Sequence, residues 1–506
     1  MDGQPIHLKD VSIVTSLALL SAPEYERVRK AKAEELGWRT LVLDREVEKA
    51  RRQMRPDDDA KAPPFTDEAL TLTFSERHCD DLRYIAAWGH WYEWTGAVWK
   101  RDETLRTFNR ARAICREASL QCQDDIAKSI ASGRTIASVE RLARYDRRHA
   151  ATVEQWDSDH WLLNTPGGVV DLRTGKMRHH RAEDHITKIT AVAPGGDCPR
   201  WLAFLETITN QDKELQTFLQ RVAGYCLSGT TREHALFFGY GTGGNGKGAF
   251  LNTLTGLMAD YAAIASMETF TASNTDRHPT DLAMLRGARL VTAQETEQGR
   301  KWAEARIKAM TGGDPITARF MRQDFFTYNP NFKLFIAGNH KPGLRSVDEA
   351  IRRRMNLIPF NVKIPPGERD AELPEKLKAE WAGILKWMIV GCLEWQRIGL
   401  AAPKAVTAAT NEYFEAEDAT GLWLAECCDL GTNRTENSSS LFASWCQWTT
   451  RAGEFTGSQK SFSQALASKG YEQKRTAAGV LFKGMALKPP PKQEEPLPYE
   501  PGMYDM

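Results

Sequence analysis

Residues 241–248 read GTGGNGKG, directly after the apolar run Ala235-Leu236-Phe237-Phe238 and before an apolar helical pattern of Phe250, Leu251, Leu254 and Leu257. A strand, a glycine-rich turn, a lysine and a helix in that order are what a phosphate-binding loop requires. Gly241, Gly243, Gly244 and Gly246 allow the backbone positive φ, so that its N–H groups can turn inward on an anion. The helix N-terminus adds its dipole, and Lys247 brings a full positive charge to the β and γ phosphates. The nucleotide-binding set is therefore Gly241, Thr242, Gly243, Gly244, Asn245, Gly246, Lys247, Gly248 and Ala249. Position 248 departs from the usual pattern, because the Ser or Thr whose hydroxyl binds Mg²⁺ is here a glycine. Either water fills that coordination place, since Mg²⁺ commonly retains several waters, or hydrolysis is weak.

A nucleotide hydrolase also needs a carboxylate at the end of a strand beside that loop. The run Arg289-Leu290-Val291-Thr292-Ala293-Gln294-Glu295-Thr296-Glu297 offers one. Residue alternation puts Glu295 and Glu297 on one side. Glu295, nearest the strand end, is the expected general base and the metal-side carboxylate. Farther on, Phe332–Ala337 reads as a buried strand ending in Gly338-Asn339, whose amide can bond both γ-phosphate and attacking water. Arg352, Arg353 and Arg354 then precede the strand Met355–Phe360, where a guanidinium can stabilise transition-state charge. From about 233 to 360, strands (Ala235–Phe238, Arg289–Ala293, Phe332–Ala337, Met355–Phe360) alternate with helices, the pattern of an α/β nucleotide-binding domain.

A chain of 506 residues exceeds a single core and predicts several domains. The net charge of +1 gives no overall attraction to nucleic acid, so such contacts must come from local basic surfaces. No apolar run reaches membrane-span length, and MDGQPIHLKD lacks the features of a signal peptide, so a cytoplasmic protein is expected. The nine cysteines show no CxxC pair and are expected to be reduced thiols. Expected divisions are a helical segment and linker over 1–65, a mixed α/β domain over 66–200, the nucleotide-binding domain over 201–400, a smaller domain over 401–487, and a proline-rich, acidic, disordered tail over 488–506. Within 375–400 an amphipathic helix carries Trp381, Leu385, Trp387 and Trp395, tryptophans expected in the core.

The order GTGGNGKG, RLVTAQETE, IKAMTGGDPITARF, FKLFIAGNHKP, DEAIRRRMNLIPF resembles the superfamily-three helicases, above all the helicase portion of phage, plasmid and poxvirus-like primase-helicases. The likeness extends upstream through HWLLNTPGGVVDLRTGKMRHHRAEDHITKITAVAP and downstream to the C-terminal region. It implies an AAA+-type P-loop ATPase core, a preceding mixed α/β domain and a C-terminal winged helix. It also implies ATP and Mg²⁺ as cofactors, with Lys247 as the Walker A lysine, Glu295 as the Walker B acid and Asn339 as the polar sensor. Arg353 or Arg354 would be the finger reaching a neighbouring subunit. Such helicases are hexameric rings moving 3′ to 5′ on single-stranded DNA. The stretch ahead of residue 66 is too short for a primase catalytic domain, so primer synthesis is not expected, and a separate primase or polymerase is an expected partner.

DNA contacts are expected at two places. The segment Pro315–Phe326 reads as two short strands around a polar turn, with Lys308, Arg319 and Arg322 for phosphates and Phe320 or Phe325 for base stacking. At least two of Phe320, Phe325 and Phe326 are expected to be core at the hairpin base. In the C-terminal region a helix over Leu441–Ala452, a second entered through Ser458–Leu466 and a hairpin over Tyr471–Leu487 point to Lys460, Ser461, Gln464, Lys474 and Arg475 as contacts. An ATP-driven replicative helicase leads this reading. The alternatives are an origin-binding or assembly module switched by ATP without unwinding, which Gly248 supports, and a small-molecule phosphotransferase, which would need neither arginine cluster nor winged helix.

Overall fold

The computed structural model describes residues 8–54, 62–272, 280–294, 300–344, 348–476 and 479–489. The chain divides into two compact units, residues 1–93 with 101–153 and residues 94–100 with 154–506. In the first, helices Leu8–Ala18, Ala22–Glu35 and Thr40–Met54 bury Val14, Leu17, Tyr25, Leu43 and Val47. Helices Asp67–His78, Arg106–Ser119 and Gly133–Ala143 enclose a second core of Leu70, Phe74, Leu82, Trp91, Ile114 and Val139. A hairpin pairs Leu82 with Glu93 through Ile85 with His90. Residues 55–61, in the expected helical segment and linker over 1–65, and most of the expected tail over 488–506 lie outside the described residues.

The second unit is built on five parallel strands: β1 (Leu236–Tyr240), β2 (Ala262–Ile264), β3 (Leu290–Gln294), β4 (Lys333–Gly338) and β5 (Met355–Pro359), ordered β5-β1-β4-β3-β2. Parallel strands covered on both faces are continuously apolar, as Leu236-Phe237-Phe238 is. Alternation then divides them: Phe237, Leu290, Phe335 and Ile358 face a core with Trp201, Phe250 and Trp395. Leu236, Phe238, Val291, Leu334 and Leu357 face another with Trp302. The four strands expected from sequence are present within a residue or two of their expected bounds. β2, an edge strand of three residues, is too short to leave a pattern.

Helix α1 (Lys247–Met258) leaves the loop after β1. The helix expected over 375–400 is two, Leu373–Lys378 and Trp381–Ile398. Glu380, at the break, accepts from the backbone N–H of Arg200 at 3.1 Å and of Trp201 at 3.0 Å. Its negative charge thus caps helix Pro199–Ile208, whose N-terminal donors have no partners within their own helix. Trp395 is fully buried, and Trp381 and Trp387 pack against the same core.

At the C-terminal end, helices Ala419–Cys427, Ser438–Ala452 and Gln459–Ser468 pack on an antiparallel sheet of Cys428–Asn437, Gly479–Leu487 and Gln473–Thr476, in that spatial order. Trp423, Trp445, Trp448, Phe462, Leu466 and Phe482 form its core. The helix–helix–hairpin sequence is as expected; the helix and long strand preceding it are additions to that expectation.

Candidate nucleotide and DNA site

Register brings the carboxyl ends of the middle strands level, Gly338 beside Tyr240 and Ala337 beside Gln294. Loops leaving neighbouring parallel strands at that edge converge, the usual place for a ligand in an open α/β sheet. Here they surround a cavity of about 780 Å³, within the range of small-molecule sites. Its walls include Gly243–Ala249 from the loop, Gln294 from β3 and Asn339 from β4.

The loop is shaped around its lysine. Lys247 is 7% exposed, and its Nζ donates to Gly241 O at 2.6 Å and Asn339 Oδ1 at 3.3 Å. Burial lowers its pKa below the ordinary lysine value. Gly246 has φ +85°, and a Cβ there would lie 2.4 Å from Ile208 Cγ2. Asn245 is buried, and its Nδ2 donates to Phe360 O at 2.8 Å, so its amide pins the loop to the strand-β5 side. Thr242 is exposed and outside the cavity wall. Gly248 needs no glycine geometry: a Cβ there would meet only Gln294 Oε1, at 3.7 Å.

The far side of the cavity leaves no signal in the sequence. Arg200, Phe204 and Thr207 come from helix Pro199–Ile208, and Ile364, Arg369, Asp370 and Leu373 from the segment after β5. Ile364 N donates to Gly244 O at 2.9 Å, strapping that segment to the loop. The Arg369 guanidinium lies over Gly244, where a Cβ would be 2.4 Å from Nη2. Arg200, Phe204 and Thr207 share one face of their helix, but nothing in the chain shows that this face and the segment after β5 meet at one cavity.

Glu295 lies outside the described residues; it follows Gln294, the last residue of β3. Arg353 and Arg354 precede β5 and so stand at the opposite, amino edge of the sheet from Lys247. Five residues of strand at about 3.3 Å each separate the two edges. The two arginines also differ. Arg354 is 7% exposed, with Nε on Thr311 Oγ1 at 3.2 Å and Nη1 on Ala350 O at 2.7 Å. Arg353 is exposed.

Strands Ile316–Ala318 and Phe326–Tyr328 form the expected hairpin. Its aromatic residues correct the expectation of burial: Phe320 is 38% and Phe325 59% exposed, and Phe326 is half-buried. Three residue pairs are too few to enclose a core, so the rings sit outside, Phe320 stacked on Phe326 at 5.8 Å. The Arg319 guanidinium lies over the Phe325 ring at 4.6 Å, and Arg322 is exposed with φ +61°. Lys308 is ion-paired with Asp348. Lys460, Gln464, Lys474 and Arg475 are exposed, whereas the Ser461 hydroxyl is engaged with the backbone of Ser458 in capping helix Gln459–Ser468.

Among the described residues no helix is long and apolar enough to cross a membrane, and no group of three His, Cys, Asp or Glu is placed to hold a metal. Residues 72–210 match the family described as D5 N terminal like, and residues 239–354 match a family of unknown function, DUF5906. The chain is 27% identical over 283 residues to "Putative helicase L207/L206" of Acanthamoeba polyphaga mimivirus, covering 51% of this chain and 29% of that protein. It is 24% identical over 275 residues to "Putative helicase 022R" of Frog virus 3, covering 50% of this chain and 28% of that protein. It thus spans under a third of the length of these curated relatives. A solved structure titled as the apo C-terminal region of NrS-1 is similar at a TM-score of 0.36 and 12% identity, over 59% of this chain and 78% of that one. A D5-type region ahead of the cavity-forming region, and similarity to helicase-named viral proteins over half its length, support a place for this chain among the phage and viral primase-helicases.

Proposed function

We propose that this protein is an ATP-dependent DNA helicase of phage, prophage or plasmid replication, working in the host cytoplasm as a ring on single-stranded DNA in the 3′ to 5′ direction. The observation that carries this reading is Lys247, held between Gly241 O and Asn339 Oδ1 on the wall of the cavity at the carboxyl edge of the sheet. A triphosphate laid in the loop would accept from its backbone N–H groups and from Nζ in place of those two oxygens. Glu295 takes the proton of the attacking water, and Asn339 orients that water against the γ-phosphate. Bound with the nucleotide, Mg²⁺ neutralises charge on the β and γ oxygens. Since Mg²⁺ commonly keeps several waters, a site offering few protein oxygens, such as Gln294 Oε1 beside Gly248, would suffice to hold it with the nucleotide.

The arginines support the ring. Lying at the amino edge of the sheet, neither Arg353 nor Arg354 serves the chain's own loop, which favours action on a neighbour's nucleotide. Arg354 holds Thr311 and Ala350; exposed Arg353 is the finger in this reading. Residues 201–400 act as a P-loop AAA+ core and residues 401–487 carry a winged helix. The hairpin, through Arg319 and Arg322, tracks the DNA backbone, and Lys460, Lys474 and Arg475 add contacts from the winged helix. A separate primase or polymerase works beside it.

Gly248 favours a second reading, an assembly module that binds ATP as a switch and hydrolyses it weakly. Hydrolysis measured with and without single-stranded DNA, alongside a mass measurement of the complex, separates the two. Strong stimulation in a hexamer-sized species supports the helicase; slow turnover indifferent to DNA supports the switch.

A further inference from the structure

The loop lacks a hydroxyl at position 248, yet the space beside it holds an oxygen. Gln294 ends β3 and lines the cavity. Its Nε2 donates to Asn252 Oδ1 at 2.8 Å, and Asn252 stands on α1, the helix that begins at Lys247. With the amide nitrogen turned to Asn252, Oε1 is the end presented at Gly248. A Cβ built on Gly248 would lie 3.7 Å from that oxygen, with no other atom from outside its own helical turn within 4 Å. A serine or threonine hydroxyl at 248 would project into this same gap.

Resting on the reading of the cavity as a nucleotide site, we propose that Gln294 Oε1 is a protein oxygen ligand of the nucleotide's Mg²⁺, standing in for the hydroxyl that Gly248 lacks. An amide carbonyl is a hard, neutral oxygen donor of the kind Mg²⁺ accepts. The Asn252 bond fixes the amide orientation, as an outer partner does for the ligands of a metal site. The arrangement sets a residue without a hydroxyl directly across from the amide of Gln294. Asn252 is then a positioning residue.

The test is ADP affinity of the full chain with Mg²⁺ and with EDTA, in wild type and in Gln294→Met, Gln294→Glu and Gln294→Met with Gly248→Ser. Methionine keeps the length and removes the oxygen. It is expected to reduce Mg²⁺-dependent ADP affinity about tenfold or more, on the scale of removing a partner from a metal site, with affinity in EDTA unchanged. Glutamate should keep or strengthen the Mg²⁺ dependence, and the added serine should restore it. Gln294 is exposed, and a thermal melt on each variant establishes that the fold is intact. The proposal is overturned if Gln294→Met retains the wild-type Mg²⁺ dependence, if it loses affinity equally in EDTA, or if the serine fails to rescue. A wild-type chain that binds no ADP under either condition removes the nucleotide site itself, and the ligand assignment with it.

Discussion

Two glycines two residues apart should respond oppositely to a side chain. Gly246 has φ +85°, and an added Cβ would lie 2.4 Å from Ile208 Cγ2 and 3.1 Å from the Phe204 ring. The left-handed backbone costs a non-glycine residue about 1–2 kcal/mol, and overpacking a buried contact costs about 1–3 kcal/mol. Gly246→Ala should therefore destabilise the native loop by about 2–5 kcal/mol on these terms. Part of that strain can be relieved by swinging the loop away from helix Pro199–Ile208, but the N–H groups then no longer converge on one point. Nucleotide affinity should fall at least tenfold, about 1.4 kcal/mol. At Gly248 the nearest atom outside its own helical turn is 3.7 Å away and φ is not positive, so Gly248→Ser meets neither penalty. Replacing a helical glycine should instead add up to about 0.5 kcal/mol. Both substitutions restrict the unfolded chain similarly, so their difference reports on the native loop. Urea unfolding followed by tryptophan fluorescence, with ADP titration, measures both quantities. Gly246→Ala unfolding at the wild-type urea concentration and binding ADP as wild type does would refute the argument.

Lys247→Ala should weaken nucleotide binding and abolish hydrolysis, whereas Glu295→Gln should keep ATP bound and block turnover; wild-type hydrolysis by the latter would pass the role to Glu297. Arg353→Ala should spare ATP binding and stability while lowering hydrolysis about 10³-fold or more, the scale of removing an arginine finger. Arg354→Ala should also lower the unfolding midpoint, since it strips partners from Thr311 and Ala350. Mixing Lys247→Ala with Arg353→Ala subunits should recover some activity, and mixed rings as inactive as either parent would count against a shared site. Alanine at Arg319 and Arg322 should weaken single-stranded DNA binding and flatten its salt dependence by about 0.7 for each phosphate no longer neutralised. Lys308→Ala, already paired with Asp348, should leave that slope unchanged.

Local patterns in the chain correspond to local structure wherever a pattern exists. The apolar stretches Leu236–Phe238, Leu290–Val291 and Leu334–Ala337 lie in strands because a strand covered on both faces is predominantly apolar. GTGGNGKG announces its loop because glycine positions and a following helix are properties of neighbours in the chain. The long helix Trp381–Ile398 follows from its period, but the contact at its break does not, since Glu380 there caps Arg200 and Trp201, some 180 residues away. The exposed rings of Phe320 and Phe325 run against their apolar character because burial of an aromatic depends on what packs over it, and a hairpin of three pairs supplies nothing.

The loop, its lysine, the polar residue after β4 and the arginines before β5 are therefore legible in one dimension. Their geometry is not. Strand order β5-β1-β4-β3-β2 sets Asn339 against Lys247 and sends Arg353 to the opposite edge, although Arg353 is much nearer Asn339 along the chain. Burial alone separates Arg354 from Arg353, two identical side chains in sequence. The amide of Gln294 beside Gly248 joins residues 46 positions apart through the pairing of β3 with β4 and the packing of α1. Periodicity and turn chemistry act between residues a few positions apart, so the chain writes them directly. Which residues share the cavity depends on contacts that exist only once the sheet has assembled.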